Sequence, residues 1–292
     1  MIRRSFFSVI IFTFIVSWCS AFAASPEHNR QKPKLVVAII VDQMRADYID
    51  RFYDLFDDGG FRLLSEKGAR FTQCNYDHAP TYTAPGHSIF LSGVYPGVSG
   101  IIGNEWYSIA QSRSIYCCED STVNSVGDNS SVREGQMSPH NYNASTLGDW
   151  LKSVSASSKV VGVAIKDRGA ILPAGQHPTG AFWFDSQSGN WISSSYYFTT
   201  LPDWAQAFNN RHIPESYLNQ TWQKLLPESL YARQSADNAV GEGTIPGEKN
   251  SVFPHKISNF SDSAFAGNPQ FSRYRRFDAL LPTPMGNDLT VR

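Results

Sequence analysis

Basic excess, cysteine and long apolar runs are all scarce in this chain, and each shortage removes a class of function. Its 292 residues carry 25 Lys and Arg against 26 Asp and Glu, a net charge of −1. Without a basic surplus there is no counter-charge to hold a polyanion, so nucleic acid is excluded as a partner. Only four cysteines occur, and their spacing matches no zinc motif. The one long apolar run, Phe6 to Trp18, follows Arg3 and Arg4 and precedes Ala21-Phe22-Ala23. A basic start, a short apolar stretch and an A-x-A end predict a secretory signal peptide over residues 1–23. The run is short for a membrane span, and the bulky Trp18 before Cys19 argues against a lipid anchor.

Removing residues 1–23 leaves 23 basic and 26 acidic residues, a net charge of −3. The expected protein is periplasmic or secreted, with no stable membrane anchor after cleavage. It retains Cys74, Cys117 and Cys118, too few for a disulfide framework, although an oxidising compartment permits one bridge from Cys74 to either neighbour. No internal repeat is present. Residues 24–33 read as a linker and 34–292 as one α/β domain, a mostly parallel sheet flanked by helices.

The continuous apolar run Lys34–Val41 predicts a strand buried on both faces. Asp47–Lys67 shows helical spacing broken at Gly59-Gly60, and Ala69–Asn75 predicts a return strand, hence a parallel crossover. Ala84–Ser92 reads as an apolar helix, and residues 106–142 as irregular, polar surface. Ala144–Val154 is amphipathic, with Asn143 or Ser145 as its cap. Lys159–Ile165 repeats the buried-strand signature, and Gly180–Ser194 reads as a hairpin turning near Ser188-Gly189. A helix is expected from Pro202 through Asn209. The stretch from Arg211 onward is loop-rich, and residues from about 180 to 285 read as an insertion or lid.

Open α/β sheets bind ligands beyond the carboxyl ends of their strands, which singles out Asp42, the loop leading to Thr83, and Lys166 with Arg168. Each has an ordinary explanation. Asp42 would cap a following helix, Thr83 would be an N-cap, and Lys166 and Arg168 would be solvated strand-end charges. His87 would be a core histidine or a donor behind the site. Together they fit phosphoryl chemistry better. A helix N-terminus offers free N–H groups to phosphate. A threonine hydroxyl becomes a competent nucleophile when a cation lowers its pKa. Asp42 would be one hard ligand for that cation, and the planar guanidinium of Arg168 suits two phosphoryl oxygens at once.

"VDQMRADYI", "TYTAPGHSIFLSGVYPGVSGIIGNEWY" and "IKDRGAILPAG" resemble the alkaline phosphatase superfamily, nearest its bacterial periplasmic, phosphate-irrepressible monoesterase branch. The spacings agree: 41 residues from Asp42 to Thr83, 21 on to Asn104, and 62 more to Lys166. The resemblance implies a zinc enzyme that hydrolyses small phosphate esters. Thr83 would be the nucleophile and a metal ligand, Asp42 a zinc ligand, and Asn104, Lys166 and Arg168 the phosphate contacts. Thr83-Ala84-Pro85-Gly86-His87 lacks the Cys or Ser and the Arg of a sulfatase. Phosphodiesterase and nucleotide pyrophosphatase relatives share Thr and Asn but typically lack the Lys-x-Arg pair. A non-catalytic exported remnant that keeps only a phosphate-binding loop is the reading from another class.

The family's remaining zinc ligands are an Asp-x-x-x-His motif, an adjacent Asp-His pair and a later His. None of His140, His177, His212 and His255 has Asp four residues earlier or immediately before it. Asp42 and Thr83 fall short of the three protein ligands a catalytic zinc needs. The sequence therefore reads as the N-terminal portion of a longer enzyme, inactive and marginally stable by itself.

Overall fold

A computed structural model describes residues 33–79, 81–127, 132–232, 234–265 and 267–292. The expected signal peptide and nearly all of the expected linker lie outside them. The chain divides after Val41 into a short N-terminal unit and a unit of Asp42–Arg292. The helices are α1 (Tyr48–Arg51), α2 (Gly60–Lys67), α3 (Thr83–Ser92), α4 (Pro96–Ser99), α5 (Val132–Gly135) and α6 (Leu147–Val154), followed by α7 (Asp167–Ala174), α8 (Asp203–Asn209), α9 (Ile213–Tyr217), α10 (Glu228–Tyr231) and α11 (Pro284–Val291). The strands are β1 (Glu105–Ser108), β2 (Arg113–Tyr116), β3 (Ser125–Val126), β4 (Val161–Ala164), β5 (Gly180–Asp185), β6 (Asn190–Ser194), β7 (Thr221–Trp222) and β8 (His255–Lys256).

The central sheet has four strands in the order β3-β6-β5-β4. β4 and β5 run parallel, joined by α7, while β5–β6 and β3–β6 are antiparallel. The α/β class holds, with a sheet that is mixed rather than mostly parallel among the described residues. All six residues of β5 are buried. Because side chains alternate along a strand, Ala181 and Trp183 enter one core with Ala84, Ile101, Cys117, Tyr142 and Ile171. Phe182 and Phe184 enter a second with Leu201, Ile257, Phe277 and Leu280. The loop-rich final third is thus packed: its segments form most of that second core.

Close packing of α7 on β4 depends on Gly162, where an added Cβ would lie 2.0 Å from the Ala170 carbonyl oxygen. α6 begins with a capping box at Thr146, not at Asn143 or Ser145. The Thr146 hydroxyl accepts from the Asp149 N–H, and the Asp149 carboxylate accepts from the Thr146 N–H.

Three expectations are corrected. Lys34–Val41 forms no strand, and Leu35, Val36, Val37 and Ile39 are exposed. A continuous apolar run signals a buried strand only where ladder partners flank it. Ala69–Asn75 is likewise exposed and non-regular, with Phe71 at 83%, so the expected opening strand–helix–strand unit is absent from the described residues. Residues 106–142 are more regular than expected. They hold most of the β1–β2 hairpin, β3 and α5, and the buried Cys117, Cys118 and Tyr142. All three described cysteines are free thiols, so Cys74 makes no bridge.

Candidate active site

Thr83 is the first residue of α3, and Tyr82 occupies the cap position without a side-chain cap bond. The Thr83 hydroxyl therefore does not cap its helix; it donates to Asp42 Oδ2 at 3.2 Å. Asp42 precedes Gln43, whose φ of 59° is unusual for a residue with a Cβ. That left-handed turn follows the carboxylate directly, at a place where backbone strain often accompanies function.

Asn104 lies just before β1, and its Oδ1 accepts the Ala84 N–H at 2.8 Å. This bond fixes the amide orientation and leaves Nδ2 without a partner among the described residues. It also narrows the expectation of a helix end lined with free N–H groups. Ala84 is taken by Asn104, Pro85 has no N–H, and Gly86 donates to Tyr82 O at 3.0 Å. The Thr83 N–H, without a partner among the described residues, is left to hold an anion together with the side chains.

His87 resolves the alternatives left open for it. It is buried, and its Nδ1 lies 2.8 Å from Thr83 O. A carbonyl only accepts, so Nδ1 carries the proton and the neutral ring keeps Nε2 bare. Burial holds its pKa below the usual histidine value, with the Arg168 charge acting in the same direction, against the Thr83 carbonyl and Asp42. An added Cβ at Gly169 would lie 3.8 Å from Nε2, so the ring packs against α7 behind the nucleophile position.

Lys166 occupies the N-cap position of α7 without a side-chain cap bond, and Arg168 sits in its first turn. The Lys166 ammonium has no hydrogen-bond or ion-pair partner among the described residues. Desolvation and the neighbouring guanidinium lower its pKa, while Asp42 and Asp167 oppose them. Arg168 Nη1 donates to the Tyr116 hydroxyl at 2.9 Å, and that hydroxyl donates to Asp167 Oδ1 at 2.7 Å. Tyr116 was missed in the sequence because it lies in the stretch read as irregular surface. Its only signal is the short apolar pattern of Arg113–Tyr116.

The structure thus places Asp42 against Thr83, Asn104 on the same helix start, and Lys166 and Arg168 on the helix packed beside it. Asp42 and Thr83 supply two oxygen donors suited to a hard cation. Among the described residues, no group of three or more His, Cys, Asp or Glu converges. These donors fit part of a zinc site and do not complete one.

A family model for type I phosphodiesterase / nucleotide pyrophosphatase matches residues 36–271. A protein of Myroides odoratus named calcium-transporting ATPase is 38% identical over 96% of this chain and 49% of its own length. Alkaline phosphatase PafA of Elizabethkingia meningoseptica is 41% identical over 89% of this chain and 46% of its own. The chain spans about half the length of the curated relatives it matches. The crystal structure of wild-type PafA superposes with a TM-score of 0.81 at 39% identity, over 89% of this chain and 48% of that one. A second PafA structure, with a threonine, an asparagine, a lysine and an arginine substituted, gives 0.80 at 38% identity. Sequence and fold agree: the chain belongs to the type I phosphodiesterase / nucleotide pyrophosphatase family of the alkaline phosphatase superfamily.

Proposed function

We propose that this chain carries the nucleophile and phosphate-binding residues of a zinc-dependent phosphate monoester hydrolase, exported to the periplasm or beyond, that works through a phosphothreonine at Thr83. The observation that carries the reading is the uncapped Thr83 hydroxyl, held 3.2 Å from Asp42 at the start of α3. Thr83 Oγ attacks phosphorus, the P–O bond to the ester oxygen breaks, and water later cleaves the phosphothreonine to free phosphate. Asn104 Nδ2, the Lys166 ammonium and the Arg168 guanidinium bind the non-bridging oxygens and offset the charge that gathers there. Asp42 and Thr83 are two of the metal donors, and the others lie outside the described residues. The chain alone is inactive in this reading. Residues 34–292 form part of an alkaline-phosphatase-like domain, with about 180–285 as its insertion or lid.

The substituted PafA structure supports the residue assignments. Its threonine, asparagine, lysine and arginine are spaced by 21, 62 and 2 residues, as are Thr83, Asn104, Lys166 and Arg168. A diester reading is favoured by the family description, whereas the Lys166/Arg168 pair favours a monoester, which brings one more charged oxygen.

The test joins this chain to the remaining half of PafA and supplies zinc and p-nitrophenyl phosphate. Turnover is expected, with phosphate trapped on Thr83 in an acid quench, and Thr83→Ala should abolish both. Retention of the rate by Thr83→Ala would show that the nucleophile lies elsewhere. Lys166→Ala combined with Arg168→Ala should slow monoesters at least about a hundredfold more than diesters, the scale of two lost charged contacts. Equal losses would favour the diester reading.

A further inference from the structure

The β1–β2 hairpin reaches both helices of the site from one end. Its last residue, Tyr116, pairs with Glu105, and the Cys117 N–H donates to Asn104 O at 3.0 Å. Asn104 and Tyr116 are therefore held on one rigid unit. From it Asn104 grips the start of α3, and Tyr116 grips Arg168 and Asp167 on α7.

The hydrogen-bond roles at Tyr116 are forced. A guanidinium cannot accept, so the single phenol proton goes to Asp167 Oδ1 and an oxygen lone pair takes Arg168 Nη1–H. Burial, followed by the charge of Asp167, raises the Tyr116 pKa far above the usual tyrosine range, so the proton stays in place. Arg168 Nε is buried and has no partner, and Nη2 makes no hydrogen bond among the described residues. Those two atoms form the side-on edge of the guanidinium, whose parallel N–H groups match two oxygens of one phosphoryl group. Asp167 Oδ2 is also buried without a partner. Were the phenol oxygen absent, Asp167 Oδ1 and Arg168 Nη1, which now share it, would be released to pair with each other.

We propose that Tyr116 is a positioning residue for phosphate binding. By occupying Arg168 Nη1 and Asp167 Oδ1 it keeps those two side chains from pairing, and so presents the Nε/Nη2 edge of Arg168 to the phosphoryl oxygens. The proposal rests on the phosphomonoesterase reading and adds a residue, and a reason for its hydroxyl, to that site.

The probe is inorganic phosphate, titrated into the chain and followed on the Arg168 Nε–H resonance, which is identified by its loss in Arg168→Ala. Overall phosphate affinity is measured in parallel by calorimetry. Tyr116→Phe should weaken phosphate about tenfold, the size expected for one misdirected charge-assisted contact. In an Arg168→Ala background the same change should cost nothing further. Adding Asp167→Asn to Tyr116→Phe should recover most of the affinity, because the competing carboxylate charge is gone. A merely structural role for the tyrosine would give no such rescue. If Tyr116→Phe fails to fold, the Tyr116→Phe/Asp167→Asn pair, which removes the buried unpaired charge, carries the test through its affinity relative to Asp167→Asn alone. The proposal is overturned if Tyr116→Phe binds as wild type, or loses the same factor without Arg168. If wild type and Arg168→Ala bind phosphate alike, Arg168 is no phosphate ligand, and the functional reading falls with the proposal.

Discussion

Three thiols follow residue 23, and they sit in two environments. Cys117 and Cys118 are fully buried, 3.9 Å apart at their sulfurs, while Cys74 is exposed. Burial first, then the neighbouring Cys117, pushes the Cys118 thiol well above the usual cysteine pKa, so it has little reactive thiolate. A maleimide reagent at neutral pH should label Cys74 within minutes, and Cys117 and Cys118 only after unfolding. Rapid modification of either buried thiol would mean that the core under α3 opens readily. Asp120 gives a residue-scale test against pH. Burial alone would raise its pKa, but the Ser138 hydroxyl and the Thr122 hydroxyl and N–H hold it below the ordinary value of 3.8. A depressed carboxyl contributes stability that is present above its unfolded pKa and lost as the pH falls through the lower folded one. Thermal midpoints should therefore drop as the pH falls below about 4, and Asp120→Asn should flatten that drop; an unchanged slope would remove Asp120 as its source. At this scale short motifs singled out Thr83, Asp42, Asn104, Lys166 and Arg168 by residue type and spacing, and the structure brings Asp42 to Thr83 and Asn104 to the start of α3. The motifs did not single out Tyr116, whose contacts depend on where a hairpin delivers a side chain.

Among the elements, β4, α8 and the β5–β6 hairpin were legible, and α7 and β1–β2 were not. An apolar β-branched run and two strands meeting at Ser188-Gly189 carry their signal locally, whereas Gly169 and Pro173 inside α7 weaken its helical pattern. The hairpin turn, Ile109–Ser112, contains no glycine or asparagine, and Ser112 itself takes the left-handed conformation with φ of 50°. A turn built this way lacks the Asn-Gly or Asp-Gly signal that marks a hairpin. Lys34–Val41 shows the opposite error: apolar periodicity reports what a segment can bury, and pairing decides whether it becomes a strand. The start of α6 is the element best suited to measurement. The Asp149 carboxylate accepts from the N–H groups of Thr146, Gln176 and His177, tying this helix to the end of α7. Thr146→Ala should cost about 1 kcal/mol, the usual loss of a cap. Asp149→Ala should cost roughly 2–4 kcal/mol, since it strips three N–H groups of a charged acceptor. Urea denaturation compares the two; equal losses would mean that the links to Gln176 and His177 contribute nothing.

For the Asp42–Arg292 unit as a whole, the two sides of the sheet end differently. β6 and β5 are sealed between two cores, whereas β4 pairs only with β5 among the described residues. Val161 and Val163 on β4 are half exposed, and Leu147, Trp150, Leu151 and Val154 of α6 are exposed, Trp150 at 66% and Val154 at 83%. An edge strand with unpaired backbone groups and apolar side chains is a template for pairing with another chain. Such a patch also exceeds what single surface hydrophobes require. Two consequences follow for the chain studied alone. Its sedimentation coefficient should rise with concentration in the micromolar range, and a dye that fluoresces on apolar surfaces should brighten on the folded protein. Val163→Lys places a charge on the edge without altering the buried side chains of β5. It should suppress both signals while leaving the thermal midpoint within about 2 °C, since surface changes away from packing usually cost under about 0.5 kcal/mol. Trp150→Gln should dim the dye and leave the edge pairing largely intact, which separates the helix contribution from that of the strand. A wild-type chain that stays monomeric and dark to the dye at every concentration would show that the β4 edge and the α6 face are covered in solution, and would refute this account.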